Sequence, residues 1–140
     1  MQSSLNTELP TTPVSRLRDY IFFGSVEAAL SEEFIYANKI TRVINCAGGH
    51  IVNKFSTLGI KYLTFFLLDE DNSQFIDFAG TNPRSVQTFI DAARDDCENV
   101  LIVSVKGRSR CLLVGAAFLM TKFNYSSEDA IEFVSQVRKI

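Results

Sequence analysis

From Asp19 onward, apolar residues come in short runs broken by polar turns, and the runs alternate between two periods. Ile21-Phe22-Phe23 is an apolar block ending at Gly24 and reads as a strand. Ser25 and Ser31, each followed by glutamate and then alanines or aromatics, are candidate helix caps. Arg42 to Cys46 reads as a buried strand running into a turn at Gly48-Gly49. Lys61 to Leu68 reads as another, stopping at the acidic turn Asp69-Glu70-Asp71-Asn72. Asn82-Pro83 opens a helix, with proline at its first position. Val86, Phe89, Ile90, Ala93 and Cys97 give that helix an apolar stripe. Val100 to Val103 is apolar on both faces, as a central parallel strand is. Residues 111–120 are apolar all round, so the helix from Arg110 to Lys122 belongs in the core. Ser127 caps a last helix carrying Ala130, Ile131, Val134 and Val137. Strands alternating with helices predict an α/β fold, a central mostly parallel sheet flanked by helices.

The start of the chain breaks this pattern. Met1 to about Pro13 is polar, without periodicity, so residues 1–18 are expected to be a flexible tail and 19–140 one domain. The 140 residues hold one core of ordinary size. Hydrophobic residues make up 46% of the chain, with 12 Phe and no Trp, which argues against disorder. A net charge of −2 argues against a nucleic-acid partner while leaving room for a local basic pocket. One histidine, His50, excludes a multi-histidine metal site, and the three cysteines form no C-x-x-C pair. No metal and no cofactor are expected. The longest apolar run, Cys111 to Met120, falls well short of the roughly 20 residues of a membrane helix. No secretory signal is visible, so a cytoplasmic protein, with the nucleus as a further compartment, is the expectation.

The chemistry concentrates in Ser104-Val105-Lys106-Gly107-Arg108-Ser109-Arg110, between a buried strand and a buried helix. Unpaired backbone N–H groups and the helix dipole make such a start attractive to anions. Gly107 permits the positive φ that wraps N–H groups around one point. Lys106, Arg108 and Arg110 add charge, and an arginine fork matches two phosphate oxygens. The spacing is not that of a nucleotide P-loop. Read alone, the segment is either a phosphate cradle or a basic surface turn.

At this loop the sequence resembles the dual-specificity protein tyrosine phosphatases. Their signature, His-Cys-x-x-Gly-x-x-Arg-Ser/Thr, is matched in register by Ser104, Gly107 and Arg110. Ile21 to Ser25 with Ala28 resembles the family's entry strand and turn, and Ile40 to Asn45 its first core strand. Tyr62 followed seven residues later by Asp69 matches the spacing to its general acid. Phe89-Ile90-Asp91 falls where its central helix carries a similar triplet. The resemblance spans about Asp19 to Ile140 and implies a protein tyrosine phosphatase-like fold of the dual-specificity type.

Three positions depart from the pattern. The resemblance places a nucleophilic cysteine where Ser104 stands, a supporting histidine at Val103, and a leaving-step hydroxyl at Cys111. A serine without a general base is a poor nucleophile toward phosphorus. A trapping mutation would change one position rather than three. The resemblance therefore implies a natural pseudophosphatase of the serine/threonine/tyrosine-interacting class. Its partner would be a protein phosphorylated on tyrosine, serine or threonine, a kinase or a kinase substrate among the candidates. Asp69 would be a remnant acid, with Asp71 its competitor, and Arg110 the phosphate-binding residue. Two alternatives stand beside this. One is a dual-specificity phosphatase, acting on phosphoproteins or phosphoinositides, represented by an inactivated variant. The other is an interaction module that binds no phosphate. Phe75, Ile76 and Phe78 are candidates for an aromatic lip, and His50 for the pocket rim or an ordinary loop.

Overall fold

The structure is a computed structural model, and it describes residues 15–66, 81–105 and 109–137. Among these, five strands form one sheet in the order β1-β2-β5-β3-β4. They are β1 (Ser15–Arg18), β2 (Ile21–Gly24), β3 (Ile40–Asn45), β4 (Lys61–Thr64) and β5 (Asn99–Val103). β2, β5, β3 and β4 run parallel, and β1 pairs antiparallel on the outside of β2. The helices are α1 (Val26–Ala29), α2 (Glu32–Ala37), α3 (Thr81–Asp95), α4 (Ser109–Phe123) and α5 (Ser127–Val137). The α/β expectation, with a mostly parallel central sheet covered by helices, matches this architecture.

Alternation along the strands divides the core in two. Ile21, Phe23, Ile44, Val100 and Ile102 face the layer of α3, α4 and α5, packing on Val86, Ile90, Val114 and Phe118. Phe22, Val43, Leu101 and Val103 face the other way, onto Phe34, Ile35 and Phe55. β5 lies between β2 and β3, so both its faces and both its edges are covered, and Val100 to Val103 are fully buried. A strand with no solvent side reads as a continuous apolar run, which is why VLIV was legible. α4 crosses β2 closely at Gly115, where a Cβ would come within 2.5 Å of the Phe23 ring. Only glycine permits that approach.

Several expectations shift. Residues 15–18 are strand rather than tail. Leu17 is buried against the α4 side of the core, and the backbone pairs through Arg16 and Phe22. One apolar residue in four leaves no readable period. Residues 1–14 lie outside the described set. α3 starts at Thr81, with Pro83 inside its first turn, where the missing N–H costs nothing. The final helix is capped by Ser126 rather than Ser127, because Ser126 Oγ accepts from the Asp129 N–H at 3.1 Å. Ile131, expected on its apolar stripe, is 58% exposed. Ser31 caps α2 as expected, accepting from Phe34 N–H.

Candidate functional site

Parallel strands end together at one edge of the sheet, and in open α/β sheets ligands bind beyond that edge. β5 delivers Ser104 there. The Cys46 N–H donates to Val103 O (2.9 Å), the Ser104 N–H donates to Gly24 O (3.3 Å), and the Val26 N–H donates to Val105 O (3.2 Å). Residues 103–105 are thus pinned from both neighbouring strands before the chain leaves the sheet. Ser104 is 2% exposed. Five residues later α4 begins at Ser109. Arg110 follows in its first turn. Lys106, Gly107 and Arg108 lie outside the described residues, as do the side chains of Ser109 and Arg110.

The neighbouring strand end is held by side chains. Asn45 is buried. Its Oδ1 accepts from Ala47 N–H (2.9 Å), and its Nδ2 donates to Ile51 O (2.8 Å) and to Asn53 Oδ1 (2.9 Å). Asn53 Nδ2 in turn donates to Thr64 Oγ1 at 3.1 Å, tying β3 to the end of β4. A fully satisfied buried amide of this kind holds one arrangement of the turn. Tyr62 on β4 accepts a hydrogen bond from the Phe55 N–H at 3.0 Å. Burial raises its phenol above the ordinary tyrosine range, while the Phe55 N–H pulls weakly the other way.

Ser25 stands where a helix cap was expected, at the N-cap position of α1, but does not act as one through its side chain. Its Oγ is buried without a hydrogen-bond partner. The backbones on either side of it, Gly24 and Val26, hold Ser104 and Val105. A helix only four residues long leaves few backbone N–H groups for a cap to satisfy. His50 is exposed in the turn after β3. Asp69, Asp71, Phe75, Ile76 and Phe78 lie outside the described residues. Val103 and Cys111, which flank the loop, are both fully buried and belong to opposite core layers. Among the described residues no cluster of three or more His, Cys, Asp or Glu side chains could hold a metal ion.

The family model described as "Dual specificity phosphatase, catalytic domain" matches residues 21–140, from β2 to the end of the chain. The chain belongs to that family. The Slingshot homolog protein phosphatase of Xenopus laevis is 29% identical over 126 residues, covering 90% of this chain and 17% of the relative. This dual-specificity phosphatase-like domain thus spans under a fifth of that relative's length. Its fold matches the human tyrosine phosphatase-like serine/threonine/tyrosine-interacting protein with TM-score 0.76 at 20% identity, covering 89% of this chain and 83% of the other. Human DUSP28 matches with TM-score 0.68 at 22% identity, covering 93% and 84%.

Proposed function

We propose that this domain is a noncatalytic reader of phosphoproteins, a pseudophosphatase that grips phosphate without cleaving it. The observation that carries the reading is Ser104, standing in the family's nucleophile register at the pinned exit of β5. Phosphoryl transfer through a cysteine depends on a thiolate available near neutral pH, which an anion cradle promotes by lowering the thiol pKa. A serine hydroxyl needs a general base, and the side chain preceding Ser104 is the hydrocarbon of Val103. Loss of the thiolate also removes a negative charge from the centre of the cradle and favours a bound phosphate. Arg110, in the first turn of α4, supplies the phosphate fork in this reading, with Val105 to Ser109 as the loop around it and Asp69 as a remnant acid. The ligand class is a phosphotyrosine, phosphoserine or phosphothreonine segment of a protein, a kinase or its substrate among the candidates. A second reading, an active phosphatase whose nucleophile has been replaced, draws support from the phosphatase name of the Slingshot relative. The native codon at position 104 separates the two.

The test has two arms. Incubated with a generic aryl phosphate, the purified protein is expected to show no turnover above a buffer blank. Turnover that disappears in Ser104→Ala would overturn the reading. In calorimetry, a phosphotyrosine peptide is expected to bind, to weaken with salt as screening rises, and to lose at least tenfold in Arg110→Ala. Equal binding by both proteins, or none by either, leaves an interaction module that reads no phosphate.

A further inference from the structure

Two arginines flank one side of α3. Arg84, Ser85, Thr88, Phe89 and Ala92 follow one stripe of the helix, and with Arg42 of β3 they line an open groove of about 540 Å³. Arg42 stands in register with Lys61 of the neighbouring β4 and with Val100 of β5. Its guanidinium lies 5.1 Å from the centre of the Phe89 ring, and its Nε is shielded from water without an acceptor. Arg84 is exposed. Neither arginine is ion-paired with a carboxylate. Lys61 brings a further positive charge to the strand beside Arg42. In a protein of net charge −2, this concentration of unpaired guanidinium groups is local.

We propose that the α3 groove is a second anion site, which receives a phosphate group carried on a peptide segment of a partner protein. The exposed Arg84 fork matches two oxygens of a phosphate dianion, Arg42 adds a second positive charge to the lining, and Ser85 and Thr88 bring hydroxyl-bearing side chains to the same lining. Phe89 and Ala92 give apolar wall for the residues flanking the phosphate. Two arginines on a protein of net charge −2 suit one phosphorylated segment better than an anionic membrane, which selects clusters of several basic residues. The site is separate from the β5–α4 loop. Arg42 pairs with Val100, four residues before Ser104, which is about 13 Å along the strand. One phosphate cannot reach both, and the proposal therefore stands whether or not the loop binds an anion.

The probe is an acidic dodecapeptide with one central phosphothreonine, titrated into the 15N-labelled full chain. Its unphosphorylated form and phosphatidylserine-containing vesicles serve as competitors. The phosphopeptide is expected to shift the amides of Arg84 to Ala92 in wild type and equally in Arg110→Ala. Arg84→Gln is expected to weaken that binding roughly tenfold. Because Arg84 is exposed, its replacement keeps the fold, which a thermal melt checks. Arg42→Gln removes the second charge of the lining and is expected to weaken binding as well. The proposal is overturned if no α3 amide shifts, if Arg84→Gln binds as wild type does, or if the unphosphorylated peptide binds equally. Loss of the α3 shifts in Arg110→Ala, or binding of vesicles alone, would overturn it too. Shifts confined to residues beside Ser104 would sink this proposal and leave the reading of the loop intact.

Discussion

A buried hydroxyl with no partner is the most informative single atom of the site. Ser25 Oγ forgoes the hydrogen bonds it would make to water, which normally costs free energy. Because the hydroxyl makes no bond within the fold, removing it relieves that cost. Ser25→Ala is therefore expected to be neutral or slightly stabilising in a thermal melt. If Ser25 helps hold an oxyanion beside Ser104, the same variant binds a phosphotyrosine peptide several-fold more weakly. Lower stability together with unchanged affinity would show a structural role instead. Tyr62 makes the opposite kind of contribution. Its Oη satisfies the Phe55 N–H, and Phe55 is itself buried. Tyr62→Phe orphans that donor and is expected to cost about 1 kcal/mol at neutral pH. Its raised folded-state pKa means that the neutral phenol is favoured in the native state. That contribution is fully present below the unfolded value near 10 and is lost as pH rises through the folded value. Urea melts of wild type and Tyr62→Phe should accordingly converge in strongly alkaline solution, and a constant gap would show that Tyr62 does not titrate as argued.

Elements were legible where one physical cause dominated. β5 could be read because it is buried on both faces, and α2 because Ser31 forms an ordinary cap. The place of the segment between β5 and α4 was legible because a strand buried on both faces precedes it and a core helix follows it. Asp69 and the loop's interior lie outside the described residues, so their geometry adds nothing to that reading. The stripe on α3 shows how periodicity fails at an end. Val86, Ile90 and Ala93 are buried as the 3.6-residue period requires, but continuing the period to Cys97 overshoots the helix. The Cys97 N–H donates to Arg94 O and the Glu98 N–H donates to Ala93 O (3.0 and 2.8 Å), the paired bonds of a Schellman ending. Cys97 takes φ 59° at the turn and is exposed. Glycine usually fills such a position, and a Cβ there carries a conformational penalty. Cys97→Gly is expected to raise stability by about 1 kcal/mol in chemical denaturation. A loss of 2 kcal/mol or more would mean that the cysteine packs as a core residue after all.

On the scale of the whole molecule, the three departures from the phosphatase signature tie function to stability. Ser104 is pinned at the sheet edge, Val103 belongs to the core layer of Phe22 and Leu101, and Cys111 to that of Ile90 and Val114. A catalytic version would ask two of these core positions to hold polar side chains. Burying a hydroxyl or imidazole without complete hydrogen bonding costs roughly 1–3 kcal/mol, so reversal should be harder for the fold than the loop motif suggests. Ser104→Cys alone is expected to leave the melting temperature nearly unchanged and to restore weak aryl phosphate hydrolysis, since the thiolate lacks its histidine and its leaving-step hydroxyl. Adding Val103→His and Cys111→Ser is expected to raise turnover while lowering the melting temperature, and Asp69→Asn on that background to reduce turnover through loss of the acid. The two readouts separate the causes of failure. A triple variant that melts cooperatively yet hydrolyses nothing would show that the loop does not take the phosphatase conformation. A triple variant that is active and as stable as wild type would show that the apolar residues at 103 and 111 are not what the core requires.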